Sequence, residues 1–307
     1  MASMVSPDAM SIFSTESTTT ATTATMDEGP PIMTFTSIKA LFEAINNARG
    51  DALVVNQVSL QAFRELCAAR DAENRKFRFS LYTTDSGVLI ITIPTLYHER
   101  AHRRLERIMN LKIDAMGLDE DWSCGGGGTY TQASGNSLVA SGEGDSTGLP
   151  SSTRSPSDGW PTFVIECGYS QTIALLIAKA HWWFTASNYE VKIVLLLKLN
   201  KSKESIHIEK WKASTTSTRL GATMTRAAAA LYPRCFQIID IKRDPDISNT
   251  HPNRLSRARY VVHSGPLRLE FADLFLRPPT PGTAEGDIII NDRDLQLLAL
   301  KAWEPQA

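Results

Sequence analysis

The stretch from Thr162 to Trp211 constrains the fold more than any other part of the chain. Thr162 to Cys167 is a short apolar run broken by Gly168, and Tyr189 to Leu199 is a longer one rich in Val, Ile and Leu. Between them Ile173, Leu176, Ile177, Ala180 and Phe184 recur at helical spacing, behind Ser170 as a candidate cap. Strand, crossover helix and buried strand make a βαβ unit, whose two strands run parallel. Asn200-Lys201-Ser202-Lys203 reads as a turn, after which Ser205 to Trp211 returns antiparallel. A mixed central sheet with helices outside it is an α+β architecture.

The flanks extend that core. Residues Met1 to Pro31 are a Ser/Thr-rich arm with almost no large apolar side chains, too polar to offset its ordering entropy. Order is expected from Thr36 or Ser37, ahead of a helix carrying Ile38, Leu41, Phe42 and Ile45. A second helix is expected over Ser59 to Glu73, a hairpin over Phe77 to Ile93 turning at Asp85-Ser86-Gly87, and a long helix from Tyr97 to Met116. Glycines 125 to 128 form a loop, and no phosphate-binding fingerprint follows them. Later come a strand at Phe236 to Ile241, a loop through Asp244-Pro245-Asp246 and His251-Pro252-Asn253, and a hairpin at Tyr260 to Phe271. Asn291 or Asp292 caps the last helix. One globular domain over residues 32–303, with a short tail at 304–307, is the expected organisation.

Composition excludes some functions. No run of about 18 apolar residues exists, so a membrane span is not expected. The formal net charge is −1, so any nucleic-acid contact must come from a local patch. Four scattered cysteines lack metal-ligand spacing and read as reduced. With neither a signal-peptide core nor transit-peptide character, the expected location is intracellular, in cytoplasm or nucleus.

Three constellations bear on chemistry. Glu166 lies in an otherwise apolar strand, and Asp145 stands twenty-one residues earlier, after a short strand at Ser137 to Ala140. Carboxylates from successive strands can converge on Mg²⁺ or Mn²⁺ for phosphodiester hydrolysis; alternatively Glu166 is a solvated strand terminus. Secondly, His98-Glu99-Arg100-Ala101-His102 matches HExxH, a zinc-peptidase pattern. Arg100, Arg103 and Arg104 stand where such enzymes keep uncharged residues, so the favoured reading is a helix start with two solvent-facing histidines. Thirdly, Arg100, Arg103, Arg104 and Arg107 share one helix face, suited to phosphates or to solvent. Of the adjacent Trp182 and Trp183, the second belongs to the core and the first points elsewhere.

Glu143-Gly144-Asp145-Ser146, Trp160 to Ser170, Ala180-His181-Trp182-Trp183 and Val191-Lys192-Ile193-Val194 together resemble a family of uncharacterised fungal proteins. That family is similar to the bacterial Uma family within the PD-(D/E)XK, restriction-endonuclease-like superfamily. Pro94 to Glu99 and Ile208 to Trp211 extend the likeness, which covers residues 75–215. The resemblance implies a metal-dependent nuclease or a nuclease-derived protein, with Asp145 and Glu166 as metal-binding acids. It departs from the pattern at Gly144, where a proline is usual, and at Gly168, where the catalytic lysine is expected. Lys179 on the following helix, or Lys192, would then stand in. The alternative is a catalytically inactive binding or scaffold module on the same fold.

Overall fold

The computed structural model describes residues 29–135, 137–155, 157, 159–215, 230–247, 251 and 255–304. The arm before residue 29, part of the polar stretch after Trp211, part of the His251 loop and the tail beyond residue 304 lie outside them. The protein is α+β, as expected, but the strands form two large mixed sheets instead of one central sheet. In the first, β1 (Ile32–Thr34), β2 (Ala52–Asn56), β3 (Arg78–Thr83), β4 (Val88–Thr92), β6 (Thr129–Ser134) and β7 (Ser137–Glu143) take the order β1-β2-β4-β3-β7-β6. β1 lies ahead of the helix at which order was expected to begin, and it pairs parallel with β2.

The second sheet holds the βαβ unit. Its order is β13-β12-β11-β10-β9-β8-β5, where β5 is Trp122–Cys124, β8 Ser146–Pro150, β9 Phe163–Gly168, β10 Ile193–Asn200, β11 Ser205–Thr215, β12 Leu231–Arg243 and β13 Tyr260–His263. β9 and β10 run parallel with Ile165 opposite Leu195, and all other neighbours in this sheet are antiparallel. The expected C-terminal hairpin is divided. β13 pairs with β12, while β14 (Leu267–Leu269) pairs with β15 (Ile288–Ile290).

Period-two alternation decides what each sheet face covers. Phe163, Ile165 and Cys167 of β9 join a core with α3 (Leu96–Asp114), α5 (Phe271–Phe275) and α6 (Asp292–Ala302). Val164, on the opposite face, packs with α4 (Ile173–Ala186). That same core includes Val54, Leu81, Ile90 and Ala140 from the first sheet, so α4 lies between the two sheets. Leu53, Val55 and Phe79 face the other way, onto α1 (Ile38–Asn46) and α2 (Leu60–Ala72). Being enclosed on both sides, α4 is apolar nearly all round. Trp182 and Trp183 are therefore both buried.

Side-chain caps fix the helix starts. Thr95 accepts the His98 amide at 3.4 Å, and Asn291 forms a reciprocal capping box with Asp294. The cap of α4 is Thr172, not Ser170, and it accepts the Leu175 amide at 3.2 Å. Ser170 is engaged by Asp51 instead.

Candidate functional site

The chain leaves the first sheet at Glu143 and enters the second at Ser146, so Gly144 and Asp145 bridge the two. A Cβ on Gly144 would meet Thr147 Cγ2 at 2.9 Å and Val164 Cγ1 at 3.3 Å. A proline at this crossing would force Thr147 and Val164 to shift. Ser146 pairs with Ile165, and the Asp145 amide donates to the Ile165 carbonyl at 3.2 Å. Asp145 is thereby set beside Glu166, and its Oδ2 accepts the Cys167 amide at 2.7 Å.

Both acids are buried, Asp145 at 3 % exposure and Glu166 at 0 %, so neither is a solvated strand end. Each of their oxygens has a protein partner. Asp145 Oδ1 takes Arg78 Nη1 at 3.2 Å, and Oδ2 lies 3.0 Å from His98 Nε2. Glu166 Oε1 accepts the Trp183 indole N–H at 2.7 Å, and Oε2 pairs with the Lys179 ammonium. Lys179 is 1 % exposed. It reaches the position that a residue at 168 cannot supply, since a Cβ on Gly168 would meet Gln171 Cβ at 2.9 Å and Leu176 Cδ1 at 3.2 Å. Lys192 donates to the Tyr189 carbonyl at 2.8 Å.

The electrostatics follow from burial and these contacts. Burial pushes the Glu166 carboxyl up, to about 7, with Lys179 pulling the other way and Asp145 adding to the push. Burial alone would lower Lys179, but the charges of Glu166 and Asp145 outweigh it and hold the ammonium protonated. His98 is likewise subject to burial, yet the Asp145 carboxylate lifts it to about 10. Asp145 itself is held well below the ordinary carboxylate range by His98, against the effect of burial.

No family model, curated protein or solved structure matches this chain.

The geometry corrects one expectation outright. His98 and His102 do not face solvent; they are 0 % and 1 % exposed. Helical spacing puts both on one face, and that face packs under the crossing point at Asp145 and Ser146. Their tie to the long helix explains why: His98 meets Asp145, and His102 Nδ1 lies 3.0 Å from Ser146 Oγ. Glu99, between them in sequence, receives Arg103 at 2.6 Å and Arg78 at 3.1 Å. The arginine face is divided as well. Arg103 and Arg107 are exposed, whereas Arg104 is half-buried and Arg100 donates to the Glu304 carbonyl.

Two members of the cluster were not legible beforehand. Arg78 alternates with Phe77 and Phe79 in a hairpin, which reads as an outward charge, yet it bridges Asp145 and Glu99. Asp51 is fully buried and accepts the amides of Tyr169 at 2.6 Å and Ser170 at 2.7 Å. Only an acid heading an apolar strand hinted at it.

As a magnesium or manganese site the acidic pair fits poorly. Hard divalent cations need free carboxylate oxygens. Here all four oxygens are engaged, three of them by Arg78, His98 and Lys179.

Proposed function

We propose that this chain is a nuclease-derived module on a PD-(D/E)XK-like core, serving as a binding or scaffold protein instead of cutting phosphodiesters. The observation that carries this reading is the internal neutralisation of Asp145 and Glu166 by Arg78, His98 and Lys179. The ancestry is supported by the meeting of two acids from adjacent strand positions with a lysine from the following helix. The loss of cutting is supported by burial, because a phosphodiester must reach its metal and its attacking water. Bound there, a divalent cation would neutralise charge and activate water; the protein's own cations already perform the first task.

With millimolar Mg²⁺ or Mn²⁺, the full chain is expected to leave plasmid DNA, single strands and RNA intact. Mn²⁺ is also expected to raise the melting temperature no more in wild type than in Glu166→Ala. Metal-dependent cleavage that disappears in both Glu166→Ala and Lys179→Ala would replace this reading with a working nuclease.

Nucleic acid is the partner such an ancestry suggests, and the exposed Arg103 and Arg107 on α3 support it. Arg103→Gln combined with Arg107→Glu is expected to weaken binding to a DNA duplex. The salt dependence should fall by about one ion per lost phosphate contact. Binding that is unaltered by these changes would assign the face to solvent.

A further inference from the structure

His98, Glu99 and His102 present one ligand atom each within 4.8 Å of one another. We propose that these three residues bind a Zn²⁺ ion, as a buried two-histidine, one-carboxylate site beside the acidic pair. The proposal is independent of whether the chain descends from a nuclease. It differs from the peptidase pattern too, since Glu99 serves as a ligand here and no buried substrate channel is invoked.

Three observations carry it. His98 Nδ1 and His102 Nε2 are buried nitrogens that make no well-formed hydrogen bond, and the polar group each faces is the Glu99 carboxylate. They lie 3.5 and 3.3 Å from the same oxygen, Glu99 Oε1, but outside hydrogen-bond geometry. A tetrahedral zinc with ligands at about 2.0–2.1 Å separates neighbouring ligand atoms by about 3.3 Å. The two spacings to Glu99 Oε1 match that edge length.

The second ring nitrogens complete the argument. A metal-bound imidazole usually gives its other N–H to a carboxylate or similar acceptor, which fixes the ring and its tautomer. His98 Nε2 meets Asp145 Oδ2 at 3.0 Å, and His102 Nδ1 meets Ser146 Oγ at 3.0 Å. Asp145 thus becomes a positioning residue for a zinc ligand. Imidazole nitrogens favour zinc over Mg²⁺ or Mn²⁺, and Glu99, only partly buried, leaves the solvent side for a water. Arg78 and Arg103 also donate to Glu99 and oppose a further cation. Zinc would have to displace the proton that Asp145 holds on His98 and share Glu99 Oε1 with Arg78, so the site is expected to be of moderate affinity.

The test uses the full chain, stripped of metal by chelation, with Zn²⁺ as the probe at about pH 8. One Zn²⁺ per chain is expected by competition with a chromophoric chelator, together with a rise in melting temperature. Glu99→Gln and His102→Gln should each weaken binding at least hundredfold. Asp145→Asn should weaken it about ten- to hundredfold, as loss of a ligand's orienting partner does, and Glu166→Gln should leave it within about threefold. X-ray absorption of the zinc-loaded wild type should show two imidazole ligands and no sulfur, a readout that survives if a variant fails to fold. Absence of stoichiometric binding, sulfur ligation, or affinity equal in wild type and Glu99→Gln would overturn the proposal and leave an ion-pair network without metal.

Discussion

Replacing Lys179 by alanine is expected to lower the unfolding free energy by about 3–5 kcal/mol, the cost of stranding a buried charge. Lys179 is the only cation paired with Glu166 among the described residues, and both side chains are essentially inaccessible. Without it, Glu166 must either stay ionised in an apolar shell beside Asp145 or take a proton. Either choice costs free energy in the folded state alone. The double change Glu166→Gln with Lys179→Met should recover most of the loss, because removing both charges leaves nothing unpaired. Urea denaturation of wild type, Glu166→Gln, Lys179→Met and the double variant supplies the cycle. The outcome has functional meaning. Charges kept for catalysis commonly sit at a cost to stability, so removing one is often neutral or stabilising. Should Lys179→Ala prove as stable as wild type, the lysine is held for chemistry and the scaffold reading fails.

The sequence displayed the βαβ unit well because both of its strands and its helix are enclosed. Burial on every side writes long apolar runs, and Val191 to Leu199 or Ile173 to Phe184 need no partner to be recognised. The convergence of Asp145, Glu166 and Lys179 was expected from the resemblance, and the three are in fact neighbours. What pairing order hid was the first sheet as a separate layer. β3 alternates like one strand of an exposed hairpin, and only the tertiary structure reveals that α4 covers one face of this sheet and α1 with α2 the other. The histidines were misjudged for a related reason. Their helix carries four arginines and two glutamates around them, so its polar side looked continuous. In space, Asp145 and Ser146 descend onto that side from the crossing between the two sheets. Charge on a helix face predicts solvent only where nothing complementary is packed against it.

The last expectation concerns how the two sheets are held in register. Asp51 heads β2, and Ser170 lies in the turn between β9 and α4. Asp51 Oδ1 accepts both the Ser170 amide at 2.7 Å and its hydroxyl at 2.6 Å, while Oδ2 accepts the Tyr169 amide at 2.6 Å. The Asp51 amide donates back to Ser170 Oγ at 3.1 Å. Space for this exchange depends on Gly50, whose Cβ would stand 2.6 Å from that oxygen. Asp51→Ala removes the acceptor for two backbone amides at the end of the strand that carries Glu166. Each orphaned amide costs about 1–3 kcal/mol when water cannot replace the lost partner. Tyr169 and Ser170 are half-buried, so water recovers part of it, and a total loss of about 2–4 kcal/mol is expected. Asp51→Asn should cost less, since one oxygen still accepts. Amide hydrogen exchange locates the effect: Tyr169 and Ser170 should lose protection beyond the global change, whereas β10 to β12 should not. A stability within about 0.5 kcal/mol of wild type, the range of ordinary surface changes, would mean that solvent satisfies these amides. The sheets would then be joined without it, by the apolar contacts of α4 and the Arg78 bridge to Asp145.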